Sequence, residues 1–139
     1  MRVETASDIR TLLEVETIAV VGCSSTPGKE AHEIPKHMLE KGYTIIPVNP
    51  FADRILGREA ADSLGEVAEE IEMVNVFRPS EEVPEIVDDV LNRHTTRGDI
   101  ESLWLQLGIR DDDATERAVT AGIDVVQDRC LKVEQQRLL

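Results

Sequence analysis

The run Gly22-Cys23-Ser24-Ser25-Thr26-Pro27-Gly28 is the stretch of the chain best suited to chemistry. Its small residues let backbone N–H groups come close to a phosphate, and the hydroxyls of Ser24, Ser25 and Thr26 add donors. A tight turn of ordinary polar residues would have the same composition, so the loop alone leaves both readings open. It departs from both well-known phosphate motifs: the third-position glycine of G-x-G-x-x-G is missing, and no Gly-Lys-Ser/Thr follows as in a P-loop. Pro35 predicts that the next helix starts no earlier than about His32, leaving the preceding amides free to face a ligand.

Four cations stand just past stretches that read as strands or in the loops after them: Lys29, Arg54, Arg78 and Arg129. Each alone is an ordinary solvated charge, but together they could form a positive rim for a ligand carrying several phosphates. A nicotinamide dinucleotide site expects an acid at the end of the second strand, where this chain has Val48-Asn49-Pro50 and no acid before Asp53. His32 and His37 lie on different faces of a helix, so no shared metal is expected, and Glu30 and Glu33 read as solvated. Cys130 falls at a helix start beside Arg129, where a thiolate is favoured, so redox sensing is an alternative role.

These residues need a scaffold, and short β-branched runs alternating with helical periods describe a parallel sheet covered on both faces. Thr17 to Gly22, Tyr43 to Val48, Met73 to Phe77, Ser102 to Gln106 and Ile123 to Gln127 read as strands, nearly unbroken in their apolar content. Helices are expected from an N-cap at Ser7 through Leu13, from the first loop to Lys41, over about Glu82 to Arg93, over about Asp112 to Ala121, and from Asp128 to Leu139. A short helix is expected near Ser63 to Glu69, and His94 to Asp99 reads as a polar surface loop. Right-handed crossovers predict a Rossmann-like three-layer α/β fold with strand order 3-2-1-4-5. Its crevice would open at the carboxyl ends of strands one and four. In that order Cys23 and Cys130 are two strand steps apart, ~9–10 Å, too far for a disulfide without loop movement.

At 139 residues the chain suits a single domain, 1–139, and 41% hydrophobic residues suffice for its core. No apolar run approaches the ~18–20 residues of a membrane span, and Met1-Arg2-Val3-Glu4 opens no apolar signal region, which predicts a cytoplasmic protein. Lysine plus arginine number 15 against 28 aspartate plus glutamate, a net charge of -13 that disfavours nucleic acid and anionic lipid as partners. Only four of the cations are lysine, and an acidic, lysine-poor surface suits a high-salt cytoplasm.

Several strings occur in one order: Ile18-Ala19-Val20-Val21-Gly22, the Ser25-Thr26-Pro27-Gly28 turn, Gly42-Tyr43 through Pro47-Val48-Asn49-Pro50, Val76-Phe77-Arg78, Leu103 through Gly108, and Asp128-Arg129-Cys130-Leu131-Lys132. Over about Leu12 to Gln136 the chain resembles the small stand-alone CoA-binding proteins, which are similar to the CoA-binding domain of the succinyl-CoA synthetase alpha subunit. The resemblance implies coenzyme A at the strand ends. Its pyrophosphate would sit on the loop from Gly22 to Gly28, with Ser24, Ser25 and Pro27 in that loop. The adenine would lie against Val48, Asn49 and Pro50, with Phe77, Arg78 and Pro79 flanking the nucleotide. Gln106 and Gly108 would lie beside the pantetheine arm, and the 3′-phosphate would meet Lys29, Arg54 or Arg78. The synthetase's ligase chemistry needs a further domain and a partner subunit, so the resemblance implies a non-catalytic module for CoA or an acyl-CoA. A mixed disulfide between Cys130 and the CoA thiol, an NAD(P)-dependent oxidoreductase, a protein-interaction module and a homodimer remain as alternatives or additions.

Overall fold

The computed structural model describes Met1–Leu139. The apolar β-branched runs form five parallel strands: β1 (Thr17–Val21), β2 (Thr44–Val48), β3 (Met73–Val76), β4 (Ser102–Leu105) and β5 (Asp124–Val126). Every residue of β3 and β4 is buried, because both faces of the sheet are covered. Helices α1 (Ala6–Leu12), α2 (Glu30–Glu40) and α5 (Leu131–Leu138) close one face over Ile18, Val20, Met73 and Trp104. Helices α3 (Val83–Arg97) and α4 (Asp112–Thr120) close the other over Ala19, Val74, Val76 and Leu103. The result is a Rossmann-like α/β fold of three layers, and none of its helices is long and apolar enough to cross a membrane.

The strand order is 2-1-3-4-5, where 3-2-1-4-5 was expected, and the connection after β2 explains the difference. That segment holds no α-helix; it makes a small hairpin of Arg54–Ile55 and Arg58–Glu59, then a 3-10 turn, Leu64–Glu66, in place of the expected short helix. Its apolar residues Leu64, Val67 and Ile71 join the cluster under α3, on the face opposite α2. A right-handed crossover on that face must carry the chain back past β1, so β3 pairs with β1, with Val20 opposite Asn75. The reversal of direction therefore lies between β1 and β3, and Cys23 and Cys130 are three strand steps apart, ~14 Å.

A buried ion pair holds this connection in place. Arg93 is 2% exposed and gives its guanidinium to both oxygens of Asp99 and to the carbonyls of Leu64, Val67 and Glu69, while Asp99 also accepts from the Ile71 amide. Removing one partner would strand a buried charge, at a cost of about 3–5 kcal/mol. The stretch from His94 to Asp99 is thus no surface loop: α3 continues to Arg97, Gly98 ends it at φ 72°, and Asp99 turns inward. At the other boundaries, Thr5 rather than Ser7 caps α1, its Oγ1 accepting from the Asp8 amide at 3.2 Å, and α5 begins at Leu131 with Cys130 as its N-cap.

Candidate functional site

Parallel strands put all five following loops at one edge, and the β1–α2 loop is the most constrained of them. Gly22 has φ +85°, and a Cβ there would lie 2.8 Å from Arg78 Cδ and 3.3 Å from the Phe77 carbonyl carbon. Both the conformation and the close approach therefore demand glycine. Helix α2 begins at Glu30 rather than near His32, with Pro35 inside it. Pro35 has no N–H for the Ala31 carbonyl, and the amide of Ser24 takes that acceptor at 2.9 Å. The missing helix bond thus ties the loop to the helix. His32 Nδ1 meets the Ser24 carbonyl at 2.7 Å, Thr26 N–H donates to Ser24 Oγ, and Gly28 N–H donates to Glu33 Oε2 at 3.2 Å. Glu33 is therefore a loop anchor, not a free solvated charge. The amides of Ser25, Glu30 and Ala31 make no hydrogen bond within the chain.

Past β1 and β2 opens a cavity of about 370 Å³, with α3 and the segment from Asp62 to Leu64 as walls. Among the residues singled out in the sequence, Gly22, Val48, Asn49, Pro50 and Arg78 line it together. Asn49 organises the floor: its Nδ2 donates to the Cys23 carbonyl at 2.9 Å and its Oδ1 accepts from the Phe51 amide at 2.8 Å. Arg78 reaches across Gly22 and is held bidentately by Glu82, at 3.2 Å and 2.7 Å. Asp62, Glu85 and Asp89 also line the cavity, and burial, then Glu85 and Asp88, push the Asp89 carboxyl above its usual range.

Sequence reasoning missed these acids and Phe51. Glu82, Glu85 and Asp89 recur at the spacing of one helical face, a signal that was available. Asp62 was not reachable that way: a bridge between Val48 and Ala61 brings it beside the end of β2 from a distant point of the chain.

The expected rim of four cations does not assemble. Arg78 alone lines the cavity; Lys29 is the N-cap of α2 and makes no side-chain cap bond. Arg54 donates to the Gly57 carbonyl at 2.6 Å in the hairpin, within a separate hollow of about 780 Å³. Arg129 lies by the far edge of the sheet, with Arg2 and Arg110 in a notch of about 180 Å³, near Glu134 and the Glu4 carbonyl. The strand order is the cause, since β3 and β4 stand between the loop after β1 and the loop after β5.

Ser24, Ser25, Pro27 and Gly28 stay on the loop beside the cavity, outside its lining. Phe77 packs against the core, and Pro79 caps the 3-10 turn Ser80–Glu82. Gln106 is buried, its Oε1 accepting from the Leu131 amide at 3.3 Å, and Gly108 donates its amide to Asp128 Oδ1 at 2.6 Å. Burial pushes the Cys23 thiol up to about 12, while Cys130 is half-buried. His37 meets Gln135 at 2.7 Å, and Tyr43 donates to the Leu13 carbonyl at the opposite end of the sheet. No group of three or more metal-binding side chains occurs.

A family model described as CoA binding domain matches residues 16–136. The Bacillus subtilis protein described as uncharacterized protein YneT is 38% identical over 128 residues, 91% of each chain. The ADP-forming acetate–CoA ligase II of Archaeoglobus fulgidus is 34% identical over 85 residues, which make up 60% of this chain and 13% of that protein. The solved structure of cell-free ID.343 from Thermus thermophilus superposes with a TM-score of 0.90 at 36% identity, covering 98% of this chain and 100% of that one.

Proposed function

This chain belongs to the CoA binding domain family, and from that premise we propose that it holds coenzyme A, free or acylated, at the carboxyl ends of β1, β2 and β3 without transforming it. The observation that carries this reading is the bare backbone at Gly22, directly beneath Arg78, at the point where the strand order reverses. In this reading the unpaired amides of Ser25, Glu30 and Ala31 receive the pyrophosphate at the start of α2, beside Ser24, Pro27 and Gly28. The adenine lies against Val48, Asn49 and Pro50, and Phe77 and Pro79 hold Arg78 in place beside it. The 3′-phosphate falls to Lys29 or Arg78, and the pantetheine arm runs past Gln106 and Gly108 towards Arg129. The cavity lining contains no His, Tyr, Lys or Cys, and in this reading its carboxylates border the carrier without acting on it, in keeping with a role in sensing or delivering it.

Asp62 favours a second reading. A carboxylate beside the end of β2 suits a ribose with free hydroxyls, as in NAD, and disfavours a ribose bearing a 3′-phosphate. Isothermal titration with CoA, acetyl-CoA, dephospho-CoA, NAD and NADP separates the readings. The proposal expects CoA and acetyl-CoA to bind alike and NAD and NADP to bind far more weakly. Binding of NAD with none of CoA would replace it, and binding of none of the five would leave a protein-interaction module.

A further inference from the structure

The chain has four aromatic residues, and three of them, Tyr43, Phe77 and Trp104, pack into or against the core under α1, α2 and α5. The fourth, Phe51, is 95% exposed. Its backbone is nonetheless fixed: Pro50 precedes it, its amide donates to Asn49 Oδ1 at 2.8 Å, and Asn49 is anchored to the Cys23 carbonyl. The residue therefore starts from a defined place on the lip of the 370 Å³ cavity, whose lining also includes the apolar Val48 and Ile86.

The charges of the same cavity say what that ring must do. Arg78 is its one cation and is already paired with Glu82, while Asp62, Glu85 and Asp89 add three more carboxylates. Such a lining offers phosphates no net attraction inside the cavity, so what enters it is best recognised through an uncharged part of the nucleotide. A purine is flat and neutral, and an exposed aromatic ring offers it a face whatever the charge around it.

We propose that Phe51 is the platform on which the adenine base stacks, so that the base adds affinity inside the cavity to what the phosphates gain at the start of α2. The inference rests on the reading of the cavity as a nucleotide site and extends it to the element that recognises the base. Stacking reads the face of a ring and not its edge, so ADP and GDP should bind comparably.

The test is calorimetric titration of wild type and Phe51→Ala with ADP, CoA and 4′-phosphopantetheine. ADP and CoA should weaken by a common factor, roughly 5- to 150-fold, with phosphopantetheine and Tm unchanged. Phe51→Trp should retain binding, and its fluorescence should be quenched by ADP over the constant signal of buried Trp104. Unchanged ADP and CoA affinity in Phe51→Ala, or an equal loss of phosphopantetheine, overturns the platform. So does a shift from dimer to monomer in sedimentation with ADP affinity intact, which would make the ring a contact between copies. Wild type that binds ADP through Phe51 but not CoA keeps the platform and removes the CoA reading; CoA binding indifferent to Phe51 does the reverse.

Discussion

Glu82 competes for Arg78 with any phosphate that enters the cavity, since a guanidinium fork matches a carboxylate and a phosphate equally well. Glu82→Gln keeps the shape and removes the competing charge. Calorimetry should then show CoA binding tighter by about 2- to 5-fold, the range of a half-exposed pair, whereas Arg78→Gln weakens it. Weaker binding in Glu82→Gln would mean that Glu82 positions Arg78 for the ligand instead. Cys23 makes a prediction of the opposite kind, about a group withheld from chemistry. Burial raises its thiol from 9.0 to about 12, so folding favours the neutral form. The stability this adds is complete below pH 9 and is lost as pH rises toward about 12. Wild type should therefore lose stability over that window more steeply than Cys23→Ala, and Ellman's reagent at pH 8 should find one reactive thiol in the native protein and two in guanidinium. Residue by residue, what was legible in the sequence was local: Gly22, Val48, Asn49, Pro50 and Arg78 reach the same cavity because each ends a strand or follows one within two residues. Phe51 and Asp62 were not, because a side chain's exposure and a bridge formed from afar leave no mark in local spacing.

Elements inherit their places from such details, and Pro35 shows how. Within α2 it removes one helix bond, and the freed Ala31 carbonyl fastens the loop through the Ser24 amide. Pro35→Ala would restore an N–H at position 35 and set it in competition with Ser24 for that carbonyl. Hydrogen exchange should quicken at the Ser24 amide and leave the strands unchanged, and CoA affinity should fall by roughly 2- to 10-fold, the worth of about one hydrogen bond. Equal exchange at Ser24 in both proteins would show that the loop is held by His32 and Glu33 alone. The sequence identified the proline but read it as a barrier to the helix, because the rule for helix interiors says nothing about a carbonyl that finds another donor. Strand order was lost for a related reason. The apolar pattern of Met73 to Val76 says that both faces of the strand are covered, which holds equally beside β2 or beside β1. The choice lay in the connection, where Leu64, Val67 and Ile71 select the face opposite α2 and Arg93 with Asp99 fixes it. One of those anchors, Asp99, falls in the stretch from His94 to Asp99 whose polarity read as solvent-facing.

At the scale of the whole molecule the net charge of -13 sets the terms on which a polyanion can approach. Long-range repulsion acts first between the chain's own acids and then between the chain and its ligand, and both are screened by salt. Raising ionic strength from ~0.1 M to ~1 M shortens the Debye length from ~10 Å to ~3 Å, which removes repulsion across the surface while touching close pairs much less. The Arg93–Asp99 pair, buried at 2.9 Å, belongs to the second kind and should survive. Tm should therefore rise with KCl over this range. Binding follows the same sign. A protein that takes phosphates on a basic patch loses affinity with salt, but here the cavity holds one cation against four carboxylates. Affinity for CoA should consequently hold or increase as KCl is added, while stacking on Phe51, being uncharged, neither helps nor hinders the trend. Sodium sulfate at matched ionic strength separates screening from general salting-out, since sulfate strengthens burial of apolar surface beyond its effect on charge. A steep loss of CoA affinity in KCl would mean that cations outside the cavity, Lys29 foremost, dominate the encounter.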